Sequence, residues 1–403
     1  MNDRQLLWVG CWENDKEFQA KAKKGYKLAS AVISQGNLIR GLEEVTGCTF
    51  DSVNGAVTPP YPAYADKVIT PVIWHHKKGA FDISVGYENK KYINRVNCKN
   101  AMIKAAKKWI RDRYKGGELI VLAYSMRSAS MATACYIKRC IPKASIYLIV
   151  TDLPHFMDLG QNRIKAALKK IDWFTIKRLQ PKFDGFILYS AKMASFLRIP
   201  KGKWMLMEGS YDAAETTFGE LPKKKAIMYS GTLDREYGIP MLLEAFMAID
   251  DPEAELWISG GGNAEDHIKA CAGKDERIKF FGFLPSREDV LELQQQASLL
   301  VNMRLPSEPA SAYCFPSKLF EYMATGVPVL SFRLKGIPKE YYQYLIVVNN
   351  ENVDDLKSAL VKSLGETETL SYIGKRAKSF ILNEKNSVAQ AKRIIEYVES
   401  SEK

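Results

Sequence analysis

Ser317, Lys318 and Glu321, within the run F-P-S-K-L-F-E-Y-M-A-T-G-V-P-V-L from Phe315 to Leu330, are residues whose types and spacing suggest chemistry. Pro316 and Ser317 are helix-start signals, and Gly326 with Pro328 are stop signals, so the spacing predicts a short helix leading into a buried strand. Leu319, Phe320, Met323 and Ala324 share its apolar side, while Ser317, Lys318, Glu321 and Thr325 make a polar stripe. A lysine in the first turn opposes the helix dipole. An anion held there resolves the conflict, because free N–H groups, a hydroxyl and an ammonium would all point at it. Glu321, one turn deeper, is placed to accept hydrogen bonds from hydroxyls attached to that anion. The alternative is a Lys318–Glu321 ion pair on a solvated face.

Two further sets of residues stand where strands end. Asp152, in T-D-L-P-H, follows the apolar run Ile146–Val150, where functional groups collect in parallel sheets. It reads equally as a turn-forming aspartate before proline, and His155 reads as acid, base or loop residue. Downstream, Ala226–Ser230 enters the turn G-T-L-D-R-E-Y-G (Gly231–Gly238), and Ala254–Ser259 enters Gly260–Gly261–Gly262. Strand, glycine turn and helix suit phosphate binding, although isolated glycines say little by themselves.

The rest of the chain must position these groups. At 403 residues it exceeds one ordinary core, so two domains are expected. A 46% hydrophobic and 26% charged composition is that of a globular protein. No window reaches the roughly 18 apolar residues of a spanning helix, and Leu6–Val9 is strand-length rather than a signal sequence. The seven cysteines show no C-x-x-C spacing, which predicts reduced thiols in a cytoplasmic protein. The net charge of +12 implies an anionic partner: nucleotide, nucleic acid or acidic membrane surface.

In the N-terminal part, strands are expected at Leu6–Val9, Ile69–Trp74, Phe81–Tyr87, Leu119–Tyr124, Ser145–Val150 and Phe183–Ser190. Helices are expected at Tyr26–Val45, Ala101–Tyr114, Met131–Cys140 and Met193–Leu197, and a proline-rich loop at Val57–Tyr64. This alternation predicts a parallel, doubly wound sheet. Asn162–Lys182 is a strongly basic amphipathic helix carrying Trp173 and Phe174, which can lie on an anionic membrane or simply face its aromatics to the core. No zinc-finger spacing or RNA-binding signature supports nucleic acid as its partner. In the C-terminal part, helices at Ile239–Met247 and Asp289–Ala297 alternate with strands at Arg277–Phe281 and Leu299–Met303, the last ending at Arg304. Leu370–Ile381 and Ser387–Val398 read as terminal helices.

These residues carry a resemblance. Y-S-G-T-L-D-R-E-Y-G-I, L-W-I-S-G-G-G, F-F-G-F-L-P and F-P-S-K-L-F-E-Y-M-A-T-G-V-P-V, in that order, resemble retaining, family 4-type glycosyltransferases, over roughly residues 226–365. V-T-D-L-P, L-Y-S-A-K-M and M-E-G-S-Y-D extend the likeness toward the P-S-K-motif subgroup of bacterial exopolysaccharide and capsule assembly. The resemblance implies an α/β protein of GT-B fold, with two doubly wound Rossmann-like domains facing across a cleft. We place an acceptor domain at 1–205, with the helix at 386–403 packing back onto it, and a nucleotide-sugar domain at 206–385. The donor is a nucleotide diphosphate-sugar, expected to be a UDP-sugar, with no cofactor and no metal. Glu321 matches the carboxylate for ribose hydroxyls, Ser317 and Lys318 the helix start near the diphosphate, Phe283 and Leu284 the backbone framing the base, and Gly231 the close approach to phosphate. Thr232, Arg235 and Gly261 complete the donor-binding set, and Asp152, Arg304 and Lys318 are the catalytic candidates. The implied acceptor is a glycan or polyprenyl-diphosphate-linked glycan, reached at the inner face of the cell membrane without nucleic acid.

The sequence departs from the family pattern at Tyr313, where a first glutamate is usual, at Thr232 in place of arginine, and at Tyr237 in place of lysine. Arg235, Arg304 and Lys318 are the available replacements for the missing cations. Two other readings stay open here: a nucleotide-sugar 2-epimerase of the same fold, and a basic nucleic-acid-binding protein.

Overall fold

A computed structural model of the protein describes residues 4–22, 29–56, 58–154, 163–212, 221–284 and 286–401. The chain divides into two compact units. Unit 1 comprises residues 1–189, 193–210 and 387–403, and unit 2 comprises residues 190–192 and 211–386.

Unit 1 carries strands β1 (Gln5–Gly10), β2 (Phe50–Asn54), β3 (Val68–Ile69), β4 (Val72–Trp74), β5 (Asp82–Ser84), β6 (Tyr87–Glu88), β7 (Leu119–Tyr124), β8 (Ser145–Val150), β9 (Gly185–Leu188) and β10 (Trp204–Leu206). Its helices are α1 (Asp15–Ala22), α2 (Ala29–Thr46), α3 (Asn94–Arg113), α4 (Ser128–Cys140) and α5 (Arg163–Leu179), and α6 (Ala191–Leu197) begins in the short segment assigned to unit 2. Eight strands form one sheet in the order β10-β9-β8-β7-β1-β2-β5-β4, parallel except for the β4–β5 pair. The apolar runs LLWV, LIVLAY and IYLIV are buried on both faces, as central parallel strands must be when helices cover both sides. The expected strand Ile69–Trp74 is broken at Pro71 into β3 and β4, and Phe81–Tyr87 into β5 and β6, so neither is one continuous strand.

Unit 2 carries β11 (Lys224–Thr232), β12 (Glu255–Gly261), β13 (Ile278–Gly282), β14 (Ala297–Asn302), β15 (Val329–Phe332) and β16 (Ile346–Val348), with helices α7 (Ile239–Met247), α8 (Glu265–Ala272), α9 (Arg287–Gln296), α10 (Lys318–Thr325), α11 (Val353–Gly365) and α12 (Thr367–Glu384). All pairs are parallel, in the order β13-β12-β11-β14-β15-β16. The chain reverses direction of winding between β11 and β14, so the crevice favoured for ligands lies at the carboxyl ends of those two strands. The last helix, α13 (Ser387–Ser401), belongs to unit 1. There Tyr147 Oη and Ser401 Oγ are 2.7 Å apart, Arg393 donates to the Leu206 carbonyl at 2.8 Å, and Gln390 donates to the Gly209 carbonyl at 2.7 Å.

Candidate functional site

The site is built on the carboxyl edge of the unit 2 sheet. β11 ends at Gly231–Thr232 and β12 at Gly260–Gly261, side by side in register. Gly260 sits at φ +142°, and a Cβ there would lie 1.8 Å from the Gly231 carbonyl oxygen, so only glycine lets the two strand ends run this close. The turns beyond them are knitted by backbone and side-chain bonds. Leu233 N–H donates to the Gly261 carbonyl at 3.0 Å, Ala264 N–H to the Leu233 carbonyl at 2.8 Å, and Asn263 N–H to Asp234 at 3.1 Å. Arg235 N–H donates to Asn263 Oδ1 at 2.8 Å, which leaves the Arg235 side chain at the exposed surface. Tyr229 donates to the Thr232 carbonyl at 2.7 Å and fixes the end of β11.

Arg304 follows β14 on the other side of the winding reversal. Its guanidinium carbon lies 4.6 Å from the centroid of the Tyr237 ring, a cation–π contact that holds the charge beside the first glycine turn. Among the described residues no carboxylate lies within ion-pair distance of Arg304. Phe283, just past β13, is 79% exposed, and Leu284 is half-buried.

Helix α10 begins at Lys318, with Ser317 at its N-cap in helical geometry and no side-chain capping bond. The N-terminal N–H groups therefore keep no side-chain acceptor from Ser317. Leu319, Phe320, Tyr322 and Met323 are buried, which turns Glu321 toward the polar side. Lys318 Nζ donates to Glu321 Oε1 at 2.8 Å, so the ion pair does form. Its two ends differ: the Lys318 side chain is 44% exposed, the Glu321 side chain only 14%. Gln294 Nε2 also donates to Oε1 at 2.8 Å, and Arg287 Nε stands 4.0 Å from Oε2. Burial pushes the Glu321 carboxyl upward, but Lys318, the Gln294 amide and Arg287 outweigh it and hold it below the usual carboxylate range.

The structure brings Glu321 and Lys318 into direct contact, the ion pair weighed as the alternative to a bound anion, and sets Arg304 over Tyr237. The sequence reading missed Arg287, Gln294, Ser230 and Tyr322. The spacing of Leu291 and Gln294, both buried on α9, carried the signal. In unit 1, Asp152 follows β8 at the exposed surface and acts electrostatically on Tyr124 and Tyr189. Both phenols are raised in pKa, first by burial, and Tyr189 reaches about 12. His155 lies outside the described residues. Among the described residues no group of three or more His, Cys, Asp or Glu is arranged to hold a metal ion.

Residues 224–366 match the family model described as "Glycosyl transferases group 1". No curated protein sequence matches the chain. Among solved structures, sucrose-phosphate synthase from Thermosynechococcus elongatus is similar at a TM-score of 0.66 and 16% identity, covering 98% of this chain and 99% of that one. Anabaena HepE in complex with UDP is similar at a TM-score of 0.62 and 11% identity, covering 98% of this chain and all (100%) of that one. The two-domain, Rossmann-like GT-B fold is common to them and to this protein.

Proposed function

We propose that the protein is a retaining glycosyltransferase that moves a sugar from a UDP-sugar to a glycan or polyprenyl-diphosphate-linked glycan in cell-surface polysaccharide assembly. The observation that carries this reading is Glu321: a carboxylate held ionised at the start of α10, with Oε1 taken by Lys318 and Gln294. An ionised acceptor beside a helix N-terminus suits a ribose attached to a diphosphate. The family match of residues 224–366 and the UDP and UDP-glucose held by HepE support the nucleotide assignment.

The chemistry follows from the charge to be stabilised. As the glycosidic bond to the donor phosphate breaks, negative charge grows on the departing UDP. Fixed cations and N–H groups lower the barrier only if they act on that growing charge. Arg304, supported on Tyr237, and Lys318, 44% exposed while in contact with Glu321 Oε1, take this role. These fixed charges mean the reading requires no divalent ion. The acceptor oxygen then attacks on the face the phosphate leaves, and the phosphate oxygen receives its proton. Asp152 orients the acceptor or the sugar.

The expected location is the cytoplasmic face of a membrane. No helix among the described residues is long and apolar enough to cross one. α5 exposes Leu168 (37%), Ile171 (63%) and Phe174 (61%) among exposed Lys170, Lys177 and Arg178, which suits docking to an anionic bilayer.

A panel of nucleotide sugars screened for thermal stabilisation tests the donor class, because a bound ligand raises the melting temperature by mass action. UDP-sugars are expected to stabilise, and Glu321→Ala to weaken UDP binding by about 2 kcal/mol through loss of a charged hydrogen-bond acceptor. Unchanged UDP affinity in folded Glu321→Ala removes this residue from the site. Release of UDP only when a glycan acceptor is added separates transfer from epimerisation.

A further inference from the structure

Glu321 does not stand alone, and the group beneath it is not explained by packing. Gln294 is completely buried on α9, in a position that leucine would fill without polar cost. Its amide nitrogen uses both hydrogens: one goes to Glu321 Oε1 and one to Ser230 Oγ, each at 2.8 Å. The carboxylate fixes the amide's orientation, since the reverse placement would set oxygen against oxygen. The amide oxygen finds no donor. A buried acceptor left without a partner is costly, so the amide is not there for stability alone.

Ser230, the second acceptor, precedes the glycine turn of β11. Its N–H donates to Tyr322 Oη at 2.8 Å, and Tyr322 donates back to the Ser230 carbonyl at 2.7 Å. Tyr322 is the neighbour of Glu321 on α10 and is 1% exposed. A single hydrogen-bonded chain therefore joins the end of β11, where phosphate is expected, to the carboxylate on α10, where ribose is expected. Gln294 is the junction.

We propose that Gln294 is a positioning residue that holds Glu321 by Oε1 so that Oε2 faces the ribose hydroxyls of the donor nucleotide. This rests on the nucleotide-sugar reading above. With Lys318 and Gln294 both on Oε1, the carboxylate cannot rotate freely about its terminal bond, and Oε2, which Arg287 Nε approaches only to 4.0 Å, keeps hydrogen-bonding capacity for a ligand hydroxyl. Without Gln294 the group still carries its charge and its lysine but loses the fixed direction.

The test compares binding of UDP with that of 2′,3′-dideoxy-UDP, in wild type, Gln294→Leu and Gln294→Met. Wild type is expected to prefer UDP by roughly tenfold or more, the range of a charge-assisted hydrogen bond. Both variants are expected to bring the ratio to within about threefold, with UDP affinity falling and dideoxy affinity unchanged. A purely structural role would weaken both ligands together and keep the ratio, and that result overturns the proposal. A second readout needs no nucleotide: titration of the Glu321 carboxyl carbon by NMR in unliganded protein. Loss of the amide donor should move its midpoint to higher pH, and an unchanged midpoint in folded variants overturns the proposal independently. Wild type that binds neither ligand sinks the nucleotide reading, while the carboxyl titration still decides whether Gln294 holds Glu321.

Discussion

The two sheets end differently at their carboxyl edges. In unit 2 the edge is glycine: Gly231, Gly260, Gly261 and Gly262 close β11 and β12, with Arg304 over Tyr237 of the first glycine turn and Lys318 and Arg287 around Glu321 on α10. In unit 1 the edge is filled. β1 runs into Cys11, Trp12 and Glu13, all buried, and Trp12 packs 4.9 Å from the Trp74 ring. Glu13 is paired with Lys21, while one of its carboxylate oxygens has no hydrogen-bond partner. Backbone is approachable in the first case and covered by side chains in the second. A phosphate can use main-chain N–H groups only where side chains are absent. Unit 2 therefore suits the anion, and unit 1 offers side chains such as Asp152 to something else.

The sharpest way to break this comparison is to put the same methyl group on both edges. At Gly260 a Cβ would meet the Gly231 carbonyl at 1.8 Å, and the backbone is left-handed. At Gly10, the end of β1, it would meet side-chain atoms, Gln35 Oε1 at 2.3 Å and Trp8 Nε1 at 2.5 Å. Backbone cannot step aside as side chains can. Gly260→Ala is expected to cost about 4 kcal/mol or more, and Gly10→Ala about 1–3 kcal/mol, in urea unfolding. Equal costs would mean that the glycine edge of unit 2 is no tighter than the filled edge of unit 1.

A second difference is titratable. His76 in unit 1 lies 2.8 Å from Asp82 and 3.1 Å from Glu43. Burial pulls its pKa down, but hydrogen bonds and charge from the two carboxylates overcome this and raise it to about 9. The folded pKa exceeds the ordinary 6.5, so the stabilisation is fully present below pH 6.5 and is lost as pH rises through 9. Allowing for solvent screening, it amounts to about 1–2 kcal/mol. Calorimetry between pH 6 and 9.5 should show the unit 1 transition falling, and His76→Gln should flatten that fall. A wild-type profile identical to His76→Gln would remove the triad from the stability of unit 1.

The legibility of the elements in sequence cuts across the two units. β7 and β8 coincide with their expected ranges because unbroken apolar runs between turn signals have one reading. α7 also coincides, since Gly238 at φ +76° and Pro240 mark its start. β2 was missed because F-D-S-V-N alternates polar residues that are nonetheless buried, with Asp51 paired to Trp109 and Arg113. β10, with its half-buried W-M-L, and the short helices α1 and α8 were missed for want of an apolar period. On α10, the dipole argument singled out Lys318 and Glu321, and the contact seen between them is the ion pair weighed as its alternative. Gln294 was not legible, because whether a glutamine is buried depends on which face of α9 meets the sheet.

The last contrast concerns where each unit exposes large apolar side chains. Unit 2 does so most at a strand end, with Phe283 at 79% beyond β13, and less on α12, with Tyr372 at 65%. Unit 1 does so most on a helix, with Ile171 and Phe174 on α5, and somewhat less on strands, with Val68 on β3 and Ile73 on β4. The expected Trp173–Phe174 pair divides: Trp173 is half-buried, 6.3 Å from the Phe196 ring with Lys177 over it, so Phe174 and Ile171 form the exposed apolar stripe. If α5 docks on an anionic bilayer, each basic residue near the surface contributes about 1 kcal/mol and is screened by salt. Ile171 and Phe174, once in the headgroup region, contribute about 1 kcal/mol each and are not screened. Co-sedimentation with anionic vesicles should therefore be weakened at low salt by Lys170→Glu/Lys177→Glu. Ile171→Ser/Phe174→Ser should instead abolish the fraction that persists at high salt. Trp173→Ala should alter stability more than binding, since its ring packs inward. Neutral vesicles should retain little of any protein. Wild type left in the supernatant with anionic vesicles at low salt would show that α5 is an ordinary surface helix, and the acceptor would then be sought among soluble glycans.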